Sequence, residues 1–252
     1  MIVQKLMVQK DAVFMNIIKF HSNKYYNKQD TAPIPARKYL PKWWEESDTF
    51  VKDFFGNPVA NWNGEGKMFG FKACPAVLDT FQTGYLLVTP CDLEFYEKNG
   101  RSKVKVPIGF DDFVGERPPM QGFETPIGYN KFHFHWYANW APELPEGYSS
   151  LYIQPINHFE LPWITVGGII DSDKVTTSGL IPFFLKDGFT GIVPAGTPYL
   201  QVIPFKREDW ESEIVFHTAQ EIAKKTMETS DTFRTSEGGV YKKLFWSKRK
   251  YK

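Results

Sequence analysis

Gly168-Ile169-Ile170-Asp171-Ser172-Asp173, and after it Val193-Pro194-Ala195-Gly196-Thr197-Pro198-Tyr199-Leu200-Gln201-Val202-Ile203-Pro204, are the stretches whose reading decides the fold. Each is a short β-rich run bounded by glycine, proline or aspartate, the residues that make turns between strands. Working outward, residues 127–207 alternate strand and turn throughout, with glycine or proline recurring every eight to twelve residues or so, a spacing that predicts a sandwich or barrel. Composition agrees: aromatic content is 17%, with 8 Trp, 19 Gly and 18 Pro, which favours strands and turns over a helical bundle. The fold class expected is mainly β.

The 252 residues are enough to bury a substantial core without disulfides or metal. Net charge is +1, with acids and bases nearly balanced, which argues against a dedicated nucleic-acid binder. Cys74 and Cys91 are the two cysteines and read as reduced, intracellular thiols. Polar residues interrupt the apolar ones near the start, and no run approaches the roughly 20 apolar residues of a membrane span. The expected location is the cytoplasm, with no membrane partner.

Upstream, residues 12–20 predict a first strand. Pro75 opens and Gly84 closes a short helix, the usual punctuation of proline at the first turn and glycine after the last. Tyr85-Leu86-Leu87-Val88-Thr89 predicts a buried strand, and Asn99-Gly100 centres a hairpin. Downstream, 209–229 spaces Trp210, Ile214, Ala219, Ile222, Ala223 and Met227 as one amphipathic helix. A basic tail with Phe245 and Trp246 follows and is expected to dock on a neighbouring subunit. One β-rich domain is expected: an N-terminal elaboration over 1–124, a core over 125–207, and a helix with tail over 208–252.

The two opening stretches resemble the dUTPase and dCTP deaminase superfamily. Gly168, Ile170, Asp171 and Asp173 match its Gly-x-Ile-Asp-x-Asp motif, and Pro194, Gly196 and Gln201 approximate its Pro-Gly strand. The resemblance spans 144–207 and implies a β-clip-like, dUTPase-like core, with Asp171 as general base, Gln201 in support, and a homo-oligomer, a trimer among its forms. It also implies a small-molecule ligand met by Asp173, Lys174, Asn157 and Arg234, with Mg²⁺ clamping phosphates. Lys174 stands where the family has tyrosine, and Ile156-Asn157 where Arg-Ser would grip phosphate. Without that pair the charge-assisted bonds that position a triphosphate are missing, so a non-catalytic or diverged binding and assembly module is the leading expectation. An active nucleotide hydrolase or deaminase is the second. Trp43-Trp44, Lys72-Ala73-Cys74-Pro75, Gly147-Tyr148-Ser149 and Val202-Ile203-Pro204-Phe205-Lys206-Arg207 also resemble a family of tailed phages and marine bacteria, which implies a phage-like origin, with the host cytoplasm or virion as the location if the chain is phage-encoded, and no chemistry.

His133-Phe134-His135 places two imidazoles on one strand face. His-x-His strands hold metal in cupins and iron oxygenases. A metal enzyme, with Fe²⁺ on His133 and His135 and a further ligand from Glu143, His158 or His217, is the third expectation. Packed structural histidines are the plainer reading.

Overall fold

The computed structural model describes residues 16–22, 31–60, 64, 66–119, 124–177, 179–234 and 246–252. In chain order the elements are β1 (Lys19–His21), β2 (Ile34–Pro35), α1 (Lys42–Glu46), α2 (Pro75–Gln82), β3 (Tyr85–Val88), β4 (Leu93–Lys98), β5 (Arg101–Lys105), β6 (Val114–Glu116) and β7 (Phe134–Tyr137). They continue as β8 (Ala141–Glu143), β9 (Tyr148–Ile153), β10 (Trp163–Thr165), β11 (Gly168–Ile170), β12 (Leu180–Leu185), β13 (Gly191–Val193), β14 (Pro198–Lys206) and α3 (Ala219–Arg234). The chain is mainly β, and its strand pairs are antiparallel.

The longest strand, β14, decides the arrangement. Its first five residues are all buried, the pattern of a strand covered on both faces. It lies at the centre of a five-stranded sheet ordered β11-β9-β14-β3-β2. Its register against β3 slips between Pro198 and Leu200, a bulge that re-aims side chains, and Tyr199 joins Leu200 and Val202 in the core. A second sheet, β10-β12-β7-β6, supplies the facing residues. Trp136 stacks on Phe183 at 3.9 Å between ring centroids and meets Tyr199 at 4.9 Å, so aromatic rings bridge the two sheets. The Tyr199 hydroxyl, buried with the ring, donates to Asn139 Oδ1 at 2.9 Å.

Strands from the described part of 1–124 are built into this core. β3 pairs with β14, β6 with β7, and β4 with β13, and Leu87, Leu93, Phe95 and Phe113 lie in the shared cluster. The predicted hairpin forms as β4–β5, with Asn99 and Gly100 at φ 54° and 72°, the left-handed pair that a tight hairpin turn requires. The predicted helix after Cys74 forms as α2. Of the predicted strand over 12–20, β1 covers the end, and 12–15 lie outside the described residues.

The helix expected over 209–229 begins later, at Ala219. Thr218 and Glu221 make a reciprocal cap there. Glu221 Oε2 accepts from the Thr218 backbone N–H at 2.8 Å, and Thr218 Oγ1 accepts from the Glu221 N–H at 3.3 Å. This capping box starts the helix and leaves 207–218 without regular structure.

Of the tail expected on a neighbouring subunit, residues 246–252 lie on their own chain, and Phe245 lies outside the described residues. Trp246 Nε1 and Arg249 both reach Asp79 on α2, Tyr251 packs edge-on against Tyr85, and the Tyr85 hydroxyl donates to the Lys252 carbonyl at 3.2 Å.

Candidate functional site

The turn after β11 is built by backbone bonds from Lys174 and Val175 to the Asp171 carbonyl, at 2.9 and 3.0 Å. β11 pairs with β9 so that Ile170 faces Ser150, which brings the turn against the start of β9. Arg207, the first residue past β14, closes the cluster from the other side. Its guanidinium donates to the Tyr148 carbonyl at 3.0 Å, to Ser149 Oγ at 2.9 Å and to Asp173 Oδ1 at 2.8 Å, and forms a second, short bond to Asp173 Oδ2. Asp173 Oδ2 also accepts from the Gly147 N–H at 2.8 Å. Asp171 Oδ1 accepts from Ser149 Oγ at 2.7 Å and sits 3.3 Å from the guanidinium. Lys174 Nζ lies 3.6 Å from Asp171 Oδ2.

These bonds set the charges. The Ser149 hydrogen bond, then Arg207 and Lys174, hold the Asp171 carboxyl below its ordinary range, and the two-pronged Arg207 contact holds Asp173 far below it. A carboxylate held this low is a poor proton acceptor at neutral pH. The guanidinium also stands where a divalent cation would have to sit between the two aspartates, so these residues do not fit Mg²⁺. The cluster is an ion-pair clasp joining β9, the β11 turn and the end of β14.

Gln201 and Asn157 lie together elsewhere. Gln201 is buried, and its amide is fully used: Oε1 accepts from the Ile156 N–H at 2.8 Å, and Nε2 donates to the Thr80 and Thr83 carbonyls at 3.1 and 2.6 Å. It thereby satisfies carbonyls at the end of α2. Asn157 takes a left-handed φ of 61°, donates to Thr80 Oγ1 at 3.0 Å, and accepts from Trp43 Nε1 at 2.9 Å. Among the described residues no hydrogen bond joins this pair to Asp171 or Asp173. Arg234 ends α3 and its side chain lies outside the described residues.

His133 and His135 flank Arg117 on the face shared by β6 and β7. Gly115 is the register partner of His135, and a Cβ there would collide with the imidazole. Arg117 Nε donates to His135 Nδ1 at 3.1 Å, which places the ring proton on Nε2. His133 stacks tilted on Phe184, 5.3 Å between centroids. Arg117 Nε thus takes the Nδ1 lone pair of His135 that a metal bound there would need. The suggested third ligands are engaged apart: Glu143 with Lys19 and His21, His158 with Glu160, and His217 with Lys225. Among the described residues no three His, Cys, Asp or Glu side chains assemble as a metal set, so the histidines do not fit iron.

Burial, reinforced by Arg117, lowers the pKa of both imidazoles below the ordinary 6.5. The folded state therefore binds protons less readily than the unfolded chain. The stability this contributes is complete above pH 6.5 and drains as pH falls through that value. Urea midpoints are expected to fall between about pH 7 and pH 5, above the carboxylate range. The double variant His133→Asn/His135→Asn is expected to flatten the fall. An unchanged slope in the variant would assign the loss to other groups.

Sequence reasoning passed over Arg207, Ser149 and Gly147 as site residues, and also Arg117. The available signal was a single arginine directly after the longest strand, within reach of two aspartates only once β14 is known to lie beside β9. Comparison with models of known protein families and with curated proteins found no match. No helix among the described residues is long and apolar enough to cross a membrane.

Proposed function

We propose that the chain is a non-catalytic assembly module, a diverged β-clip-like fold whose copies join through the arm formed by residues 208–234. One observation carries the reading. Every residue from Glu208 to Glu228 is exposed, yet the stretch holds Trp210 at 87%, Ile214 at 80% and Phe216 at 91% exposure, with Ile222 and Met227 along α3. The apolar area of these side chains is on the order of several hundred Å², the scale of one side of a stable interface. A helix of this length without packing is marginal in water, so α3 gains its stability from what it meets.

A second copy of this chain fits the arm. Its first part carries Glu208, Asp209, Glu211 and Glu213 among the apolar residues, with no base before His217. The body offers the complement, a groove of about 690 Å³ floored by Ile17, Phe20, Tyr85, Leu144 and Pro204. Lys38, Arg249, Lys250 and Lys252 also line it. An acidic, apolar arm and a basic, apolar groove on one chain make a heterologous contact that closes into a small ring, such as a trimer. The clasp at Arg207 and the saturated amide of Gln201 support a non-catalytic reading, and the positions of both opening motifs beside β9 support the β-clip-like relation.

Sedimentation of the full chain tests the assembly. The wild type is expected to be oligomeric at micromolar concentration, and Trp210→Asp/Phe216→Asp to be monomeric with an unchanged melting profile of the body. Arg249→Glu/Lys250→Glu is expected to weaken association, and high salt to do the same. A monomeric wild type overturns the proposal.

A further inference from the structure

Between the β4–β5 hairpin and the strand pair β6–β7 lies a second cleft, of about 330 Å³. Its lining includes Arg101 and Lys103 from β5, Glu116 and Arg117 from the end of β6, and Phe132 and His133 at the approach to β7. Lys103 is paired with Glu116. The remaining cations are not paired: among the described residues Arg101, Arg117 and Lys131 meet no carboxylate. Arg101, in the cleft lining, lies over the Phe132 ring at 4.6 Å, and Lys131, outside the lining, reaches the same ring at 5.5 Å, so Phe132 holds a second cation within reach of the cleft.

Arg117 is the centre of this arrangement. An unpaired surface arginine normally keeps its rotamer freedom, because ordering a long side chain opposes binding it in place. Here the side chain is fixed by His135, through the bond from Nε to Nδ1, and its two terminal nitrogens stay without a partner among the described residues. The fixing is itself built into the fold. His135 can lie against β6 because its register partner is Gly115, where any Cβ would strike the ring. The imidazole is buried, and its Nε2 has no hydrogen-bond partner among the described residues. A strand pair has thus given up a side chain at 115 and left a buried ring nitrogen unsatisfied, and what it gains is a guanidinium held at a set position. The planar fork of a guanidinium matches phosphate or carboxylate oxygens in a bidentate fashion.

We propose that this cleft binds a multiply charged phosphate group, a diphosphate or a phosphate ester, with Arg117 as the principal contact and Arg101 and Lys131 completing the charge. Three cations that meet no carboxylate among the described residues suit a di- or trianion better than a single carboxylate. The volume is several times that of one phosphate and falls at the low end of small-ligand sites. The neutral His133 beside Arg117 offers a hydrogen bond without adding charge. The site is separate from the Asp171–Arg207 clasp and from the arm, and it stands whether or not the chain oligomerises.

Titration of the full chain with inorganic pyrophosphate, by calorimetry, tests the proposal. Saturable binding is expected, and it should weaken as salt rises. Arg117→Gln is expected to weaken it by about tenfold or more, the worth of a charge-assisted pair. Because that change also disturbs His135, the exposed double variant Arg101→Gln/Lys131→Gln provides the second reading. It should leave the melting profile unchanged and weaken binding about tenfold as well. Lys98→Gln, across the hairpin tip, should bind as the wild type does. No saturable binding at millimolar pyrophosphate overturns the proposal, as does binding indifferent to both variants. A cleft that ignores pyrophosphate but takes a synthetic peptide of residues 208–218 also overturns it, and would make the cleft a seat for the acidic arm.

Discussion

Gly84→Ala is expected to be severely damaging, removing on the order of 4 kcal/mol or more of folding stability. Gly84 closes α2 and opens β3 with φ at 75°, a conformation that costs an L-residue about 1–2 kcal/mol. The larger part is steric. A Cβ at this position would overlap the Val202 carbonyl oxygen and come within 3.1 Å of Ile203 Cα, both backbone atoms of β14. Neither can turn aside as a side chain would, so the two central strands would have to part. The same backbone turn also carries the Ala36 N–H bond to the Gly84 carbonyl at 3.0 Å, which ties in the start of the domain. Gly188→Ala is the comparison. Its φ is 70°, but nothing lies within 4 Å of the added carbon, so it should show the conformational part alone, about 1 kcal/mol. Urea unfolding of both variants measures the difference. Equal losses would show that the close approach of β14 has no consequence.

Gln201→Leu is expected to lose about 3 kcal/mol, although leucine is apolar and close in size. The loss comes from the groups left behind: the Ile156 N–H and the Thr80 and Thr83 carbonyls all lose their partner together. Each polar group stranded away from water costs about 1–3 kcal/mol, and partial access to water at the end of α2 reduces the sum. Gln201→Glu separates donor from acceptor. It keeps the bond from Ile156 but places a carboxylate against two carbonyl oxygens, so it is expected to be at least as destabilising as leucine. A Gln201→Leu protein as stable as the wild type would show that water replaces the amide.

The difference between these residues and their sequence appearance is instructive. The hairpin at Asn99-Gly100 and the helix from Pro75 to Gly84 are legible because local chemistry decides them: left-handed φ at a two-residue turn, proline first, glycine last. α3 is legible in kind but not in extent. Trp210 and Ile214 fit a helical spacing, yet Thr218 and Glu221 cap the helix after them, and a cap outranks a loose periodicity. Gln201 reads as a polar residue in an apolar strand, which fits a site as well as a staple. Only the position of α2 over β14 decides between them. Likewise Asp171 and Asp173 read as free acids until β14 delivers Arg207 beside them. His133 and His135 do share a face, as alternation requires, but the third group on that face is a cation. For Gln201, the two aspartates and the histidines the missing knowledge is a contact between segments distant in sequence, which no local rule supplies; the cap of α3 is local.

The central place of β14 also fixes when the molecule can fold. Val88 pairs with Pro198, Lys19 with Glu143, and Leu93 with Val193, so three separate sheets close over long spans of chain. β3 is made well before β14 and is entirely buried in the finished sheet, between β2 and β14. During synthesis at about 5–20 residues per second, it waits on the order of ten seconds for its partner. Throughout that interval Tyr85-Leu86-Leu87-Val88 is an apolar strand with an open edge, the kind of segment that pairs with strangers. The sheet therefore closes only once Lys206 has emerged, and until then the open edge of β3 is free to pair elsewhere.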